Sequence, residues 1–133
     1  MIEITHLQDR PDLAPLTVGW LKGAFSPGDF WTEAFIAGLV AEATDPDRLP
    51  LCLAALVNGL PAGTAWLIGH EDPQRMHLSP WLSSVYVHPD HRRRGVAEAL
   101  VRAIAGHAAR LGFELLHFST AIPDFYARLG ARL

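Results

Sequence analysis

Residues Val85 to Leu100 read Val-Tyr-Val-His-Pro-Asp-His-Arg-Arg-Arg-Gly-Val-Ala-Glu-Ala-Leu. Three residues with strand preferences lead into a turn marked by Pro89 and Asp90; a triple arginine and Gly95 follow, and an apolar pattern of helical period then begins. A helix that starts this way leaves its first N–H groups without intrahelical partners. With the positive end of the helix dipole, those groups form a site for an anion, and a phosphate suits it. Gly95 has no side chain to keep the backbone from closing on such a group.

The elements that must position this turn come from a chain of 133 residues, enough for one domain with a sizeable core. Half of the residues are hydrophobic and 19% are charged, which excludes a disordered chain. Lys and Arg number 11 against 14 carboxylates, so general nucleic-acid binding, which needs a basic surplus, is not expected. Arg92–Arg94 is too local a run to reverse that balance. The single cysteine, Cys52, lies in an apolar run and reads as a buried small hydrophobe. Met1–Asp12 carries charges and has no apolar core, so no signal peptide is expected. Leu51 to Gly69 holds no charged residue, but Asn58-Gly59 and Pro61 interrupt it, which favours two strands and a turn over a membrane span. The expectation is a cytoplasmic protein with no membrane partner.

Ile2–Leu7 alternates as a first strand, and Asp9, Pro11 and Asp12 signal a helix start. Leu13, Leu16, Trp20, Leu21 and Ala24 then share one helical face. Phe25–Phe30 is a loop, and a second helix from about Trp31 to Ala43 buries Trp31, Phe35 and Leu39. Leu51–Val57 and Ala62–His70 are strands whose continuous apolarity calls for cover on both faces. Trp81–Val87 is a fourth strand feeding the anion turn. The third helix buries Ala97, Leu100, Val101, Ile104, Ala108 and Leu111, pairs Glu98 with Arg102 on its outer side, and ends at Gly112. Phe113–Ser119 is a fifth strand, and Pro123 starts a short helix closed by Gly130. The class is α/β, or α+β with a mixed central sheet and helices on both faces; Trp81 to Ser119 forms a right-handed parallel unit.

Arg92-x-x-Gly95-x-Ala97 matches the (Arg/Gln)-x-x-Gly-x-(Gly/Ala) signature of the GNAT N-acetyltransferase superfamily. Leu116-His-Phe-Ser119-Thr-Ala-Ile-Pro-Asp-Phe-Tyr126-Ala-Arg-Leu-Gly130 resembles that family's C-terminal strand and Tyr-x-x-x-Gly helix. The resemblance covers roughly Trp81 to Leu133 and places an acetyl-coenzyme-A-binding core at about 81–130 of one domain, 1–133. It implies acetyl-coenzyme A as co-substrate, with the amides of Arg93, Arg94, Gly95, Val96, Ala97 and Glu98 on the diphosphate and the Arg92–Arg94 side chains adding diffuse charge. Val85, Tyr86 and Val87 would offer their backbone to the pantetheine, Ser119 would touch the same arm, and Tyr126 would protonate the departing thiolate. A phenol of pKa about 10 and a thiol of about 8.5 are close enough for proton sharing. The acceptor implied is a primary amine, which is neutral in under about one molecule in a thousand at pH 7 and must lose a proton before attack. Glu71, Asp72, His77 and His88 flank the fourth strand, Asp29 and Glu33 lie in the region between the first two helices that the resemblance places beside the acceptor, and none stands out as the base. Phe30 and Trp31 could line the acceptor pocket or the core.

His88-Pro-Asp-His91 has two histidines but no third ligand, so no metal is expected. The family's sheet continues with two further strands after the Tyr-x-x-x-Gly helix, and the chain as given stops at Leu133. A homodimer that covers the exposed edge of the fifth strand is therefore expected. The alternative to an enzyme is a non-catalytic acyl-coenzyme-A-binding module.

Overall fold

The computed structural model describes residues 1–25, 32–70, 73–120 and 122–131. Asn58 and Gly59 take left-handed φ values of 51° and 84°, the conformation of a tight two-residue hairpin. They join β2 (Leu51–Val57) to β3 (Leu60–Ile68). With β1 (Ile2–His6) and β4 (Trp81–Val87) these form an antiparallel sheet in the order β1-β2-β3-β4. Every residue of β2 is buried, as continuous apolarity requires, because helices cover both faces. Helices α1 (Ala14–Phe25) and α2 (Glu33–Glu42) pack on the face that carries Cys52, Ala54, Leu56 and Trp66. Helix α3 (Val96–Arg110) packs on the other, against Leu53, Ala55, Leu67 and Leu82. The chain thus has the α+β architecture read from its sequence. Among the described residues no helix is long and apolar enough to cross a membrane.

The third helix buries Leu100, Val101, Ile104 and Ala108 as its spacing predicts, and adds Val96. Ala97 and Leu111 are half-buried. Glu98 and Arg102 pair at 3.4 Å, and Gly112 ends the helix at φ 93°. On the faces expected for the first two helices, Leu13, Leu21 and Leu39 turn inward, while Leu16 and Phe35 do not. In α1 the inward residues are Thr17, Val18 and Leu21, while Leu16 is 40% exposed. Two short 3-10 turns, at Leu7–Asp9 and Pro11–Leu13, precede the helix and reset its phase. In α2 Thr32 caps the first turn by accepting the Phe35 N–H at 3.1 Å. The row Ile36–Val40 then faces the sheet, and Phe35 is 42% exposed. A one-residue error of phase turns a helical side chain by about 100°. The expected burial of Trp31 and the loop through Phe30 lie outside the described residues.

The largest correction concerns the fifth strand. Among the described residues Phe113–Ser119 forms no regular strand and pairs with β4 at one place only, a parallel bridge between Trp81 and His117. His117 donates its N–H to the Pro80 carbonyl at 3.0 Å and accepts from the Leu82 N–H at 2.8 Å. The mixed sheet and parallel unit expected here reduce to that contact, because β4 bends away immediately afterwards.

Gly63 allows β3 to lie close to β4. A Cβ there would collide with the Tyr86 carbonyl oxygen and crowd Leu100 Cδ1 at 3.3 Å. The backbone oxygen can move only by disturbing the β3–β4 ladder. Gly63→Ala is expected to cost about 1–3 kcal/mol, measured as a lower urea midpoint with an unchanged slope.

Candidate active site

Strand β4 carries one residue too many for its partner. Thr64 stands opposite Tyr86 and Trp66 opposite Ser83, so Ala65 alone faces both Ser84 and Val85. Such a bulge bends the strand that bears it. Ser84 sits at φ 53°, a conformation that L residues with side chains rarely adopt. Past the Trp81–His117 bridge, the bend opens a cleft of about 180 Å³ between β4 and the 118–119 segment. Leu82, Ser83, Ser84, Val85, Phe118, Ser119 and Tyr126 line it. Val85, Ser119 and Tyr126, distant in sequence, meet there.

Tyr126 is held by α4 (Pro123–Arg128). Its ring stacks on Phe118 at 4.5 Å between centroids and meets Phe125 edge-on at 5.0 Å. Burial raises the phenol above its ordinary pKa, so it carries its proton throughout the neutral range. Tyr126 is 9% exposed and lines the cleft.

Beyond the bulge, β4 has a partner on one side only. The His88 N–H donates inward to the Ala62 carbonyl at 2.8 Å. By strand alternation Tyr86 also faces β3, while Val85 and Val87 turn their N–H and C=O outward. The Val87 carbonyl accepts from Arg92 Nε at 3.0 Å. Tyr86 stands opposite Thr64 in the β3–β4 ladder. Its ring lies on the opposite face, 5.3 Å from that of Trp20 in α1.

The turn after β4 curls as an anion site should. Arg93 and Gly95 are both left-handed, at φ 63° and 82°, and Gly95 is the N-cap of α3 with no side chain over its first turn. Successive amides are thereby turned to one side, as in a nest. Among the described residues the N–H groups from Arg93 to Glu98 donate to no protein acceptor. Arg92, Arg93 and Arg94 are exposed around them. The nest opens at the end of β4 toward which the unpaired edge leads. A long ligand with a diphosphate at one end and amides along its arm fits this run of donors.

A family model for the acetyltransferase (GNAT) domain matches residues 49–130. The chain belongs to the GNAT acetyltransferase family. No curated protein matches it. Solved structures extend the likeness over nearly the whole chain. The aminoglycoside N-acetyltransferase AAC(6')-Iy in complex with coenzyme A aligns with a TM-score of 0.70 at 20% identity, over 98% of this chain and 84% of its own. Glucosamine-6-phosphate N-acetyltransferase from Arabidopsis thaliana aligns at 0.68 and 14% identity, over 100% and 92%. Ribosomal-protein-alanine N-acetyltransferase from Brucella melitensis aligns at 0.63 and 25% identity, over 100% and 91%.

The bulge serines of this GNAT chain, and Trp66 opposite Ser83, escaped the sequence reading. A signal for the serines was present: Ser83-Ser84 interrupts an otherwise apolar strand, where adjacent hydroxyls mark a break in alternation. Of the residues considered as bases, His77 is exposed. His88 accepts the Asp90 N–H on Nδ1 at 3.1 Å, and Glu33 sits exposed in the first turn of α2. None of these lines the Tyr126 cleft. Asp29, Phe30, Glu71 and Asp72 lie outside the described residues.

Cys52 is buried in β2, against Thr64 Oγ1 at 3.4 Å, and burial pushes its thiol up to about 12. A thiol held protonated is neither nucleophile nor easily alkylated. Cys52 is expected to stay unmodified by iodoacetamide in the native protein at mildly alkaline pH and to react fully in concentrated urea, as measured by intact mass.

Proposed function

We propose that this chain moves the acetyl group of acetyl-coenzyme A directly to a primary amine, without a covalent enzyme intermediate. The single observation that carries the reading is the continuity of one surface: amide nest, unpaired β4 edge and Tyr126 cleft follow one another along the bend of β4.

Bound acetyl-coenzyme A would supply the activated acetyl group and depart as the thiol. The amides from Arg93 to Glu98 hold the diphosphate, with Arg92–Arg94 adding charge. The outward amides of Val85 and Val87 run along the pantetheine, and Ser119 offers a hydroxyl to it. Tyr126 Oη holds the proton that the leaving sulfur takes up. The desolvation that raises the phenol pKa would also raise that of a thiol in the same cleft, so the two stay matched. Direct transfer agrees with the condition of Cys52, whose buried, protonated thiol cannot serve as an acyl carrier.

The test is thiol release from acetyl-coenzyme A across a panel of amines: aminoglycosides, polyamines, amino sugars, amino acids and peptide termini. Amine-dependent release with equimolar acetylated product supports the reading. Tight coenzyme A binding without release from any amine would instead make the chain a binding module.

A further inference from the structure

The face of the bulge opposite Tyr126 carries a second, smaller cavity. It measures about 20 Å³ and lies between the sheet and α1–α2, lined by Leu21, Ile36, Trp66, Ile68 and the same two serines, among others. A cavity needs roughly 10–15 Å³ of this kind of volume to hold one water molecule. Trp66 is 3% exposed, and its indole Nε1–H is buried with no hydrogen-bond partner. An unmade bond of this kind costs about 1–3 kcal/mol, and a native structure that retains one calls for an explanation. Trp66 and Ser83 are cross-strand partners, hence on one face of the sheet. In a regular strand Ser84 would point the other way. The bulge brings its hydroxyl to 3.2 Å from that of Ser83. The cavity therefore offers an indole donor and two hydroxyls, enough polar partners for a water.

We propose that Trp66 Nε1 and the Ser83–Ser84 hydroxyls hold an internal water at the β4 bulge, and that this chain carries the proton of the incoming ammonium from the Tyr126 cleft to the α1–α2 side of the sheet. The second half of the proposal rests on the acetyl-transfer reading; the water site does not. Both serines line both cavities, which makes them the hydroxyl connection between the two faces. Among the described residues lining either cavity, Tyr126 is the only ordinary acid or base, and it must keep its proton for the leaving sulfur. The ammonium N–H bond breaks, a serine hydroxyl takes that proton as it passes its own to the water, and the water passes one to solvent where Ile68 is half-exposed. The hydroxyls end as they began, and the amine keeps its lone pair for attack. Trp66 is a positioning residue here: its N–H occupies one lone pair of the water, which leaves the other to accept from a serine hydroxyl and the water's own protons directed toward solvent.

Two measurements test this. The first is a high-resolution crystal structure of the protein without substrates. It should show one ordered water within hydrogen-bond distance of Trp66 Nε1 and a serine hydroxyl; a dry cavity, or a protein acceptor on Nε1, overturns the site. The second is the pH profile of amine acetylation by Trp66→Phe and Ser83→Ala. Each should lose about tenfold or more in kcat at neutral pH with acetyl-coenzyme A affinity unchanged. The deficit should shrink as pH rises and the amine arrives already neutral. No deficit, or one that stays constant with pH, overturns the relay. If Trp66→Phe does not fold, Ser83→Ala decides alone. If the unmodified protein acetylates no amine, the transfer reading and the relay both fall, while the crystallographic result still decides the water.

Discussion

Tyr126→Phe is expected to lower kcat for amine acetylation by about 100- to 10,000-fold, the range a positioned general acid supplies, and to leave coenzyme A affinity within about twofold. The separation follows from where the hydroxyl stands. The phenylalanine ring keeps the contacts with Phe118 and Phe125, so α4 and the cleft wall survive. Only the oxygen that would protonate sulfur is lost. The pH dependence has a definite sign. Because burial raises the phenol pKa, the protonated form persists above the ordinary phenol range. Activity of the unmodified protein should therefore climb through neutral pH as more amine is neutral, and should not turn down until the pH exceeds about 10. In Tyr126→Phe that alkaline fall should vanish. Steady-state rates over a pH series, with calorimetric affinities for coenzyme A, check both parts.

Gly95→Val is expected to weaken coenzyme A binding by roughly 10- to 100-fold, about 1.4–2.8 kcal/mol. The space around Gly95 is open: an added Cβ would have no neighbour within 4 Å. The loss comes instead from its φ of 82°, which a β-branched residue resists. Relaxing that angle turns the first amides of α3 out of the nest, and the new side chain extends into the space the diphosphate would enter. Thermal stability should fall much less than affinity, because Gly95 is an exposed cap and not core. Titration calorimetry beside a thermal melt separates the two effects.

The sequence exposed most of what depends on short-range pattern. Continuous apolarity marked β2 as a strand covered on both faces, and Asn58-Gly59 marked the hairpin. The three- and four-residue spacing of Leu100, Val101, Ile104 and Ala108 fixed the inner face of α3. The strand-to-helix turn after β4 was legible because Pro89, Asp90 and Gly95 separate a strand pattern from a helical one. What escaped depends on long-range geometry. The faces of α1 and α2 turned on single-residue phase, set by the 3-10 turns and the Thr32 cap, and average apolar spacing does not record either. The fifth strand was over-read, since Phe113–Ser119 has strand-like residues but its pairing is decided by the bend in β4. That bend comes from the mismatch of Ala65 against Ser84 and Val85, a register fact shared between two strands and visible in neither. Trp66 and its serines were missed for the same reason, because cross-strand neighbours are set by register.

The most direct test of the account is a calorimetric titration of the purified protein with coenzyme A. One site per chain is predicted, with heat of binding and a raised melting temperature, both strongly diminished in Gly95→Val. A flat titration with no thermal shift in the folded protein would mean that the donors after β4 do not hold a diphosphate, and the acetyl-transfer reading built on them would be wrong.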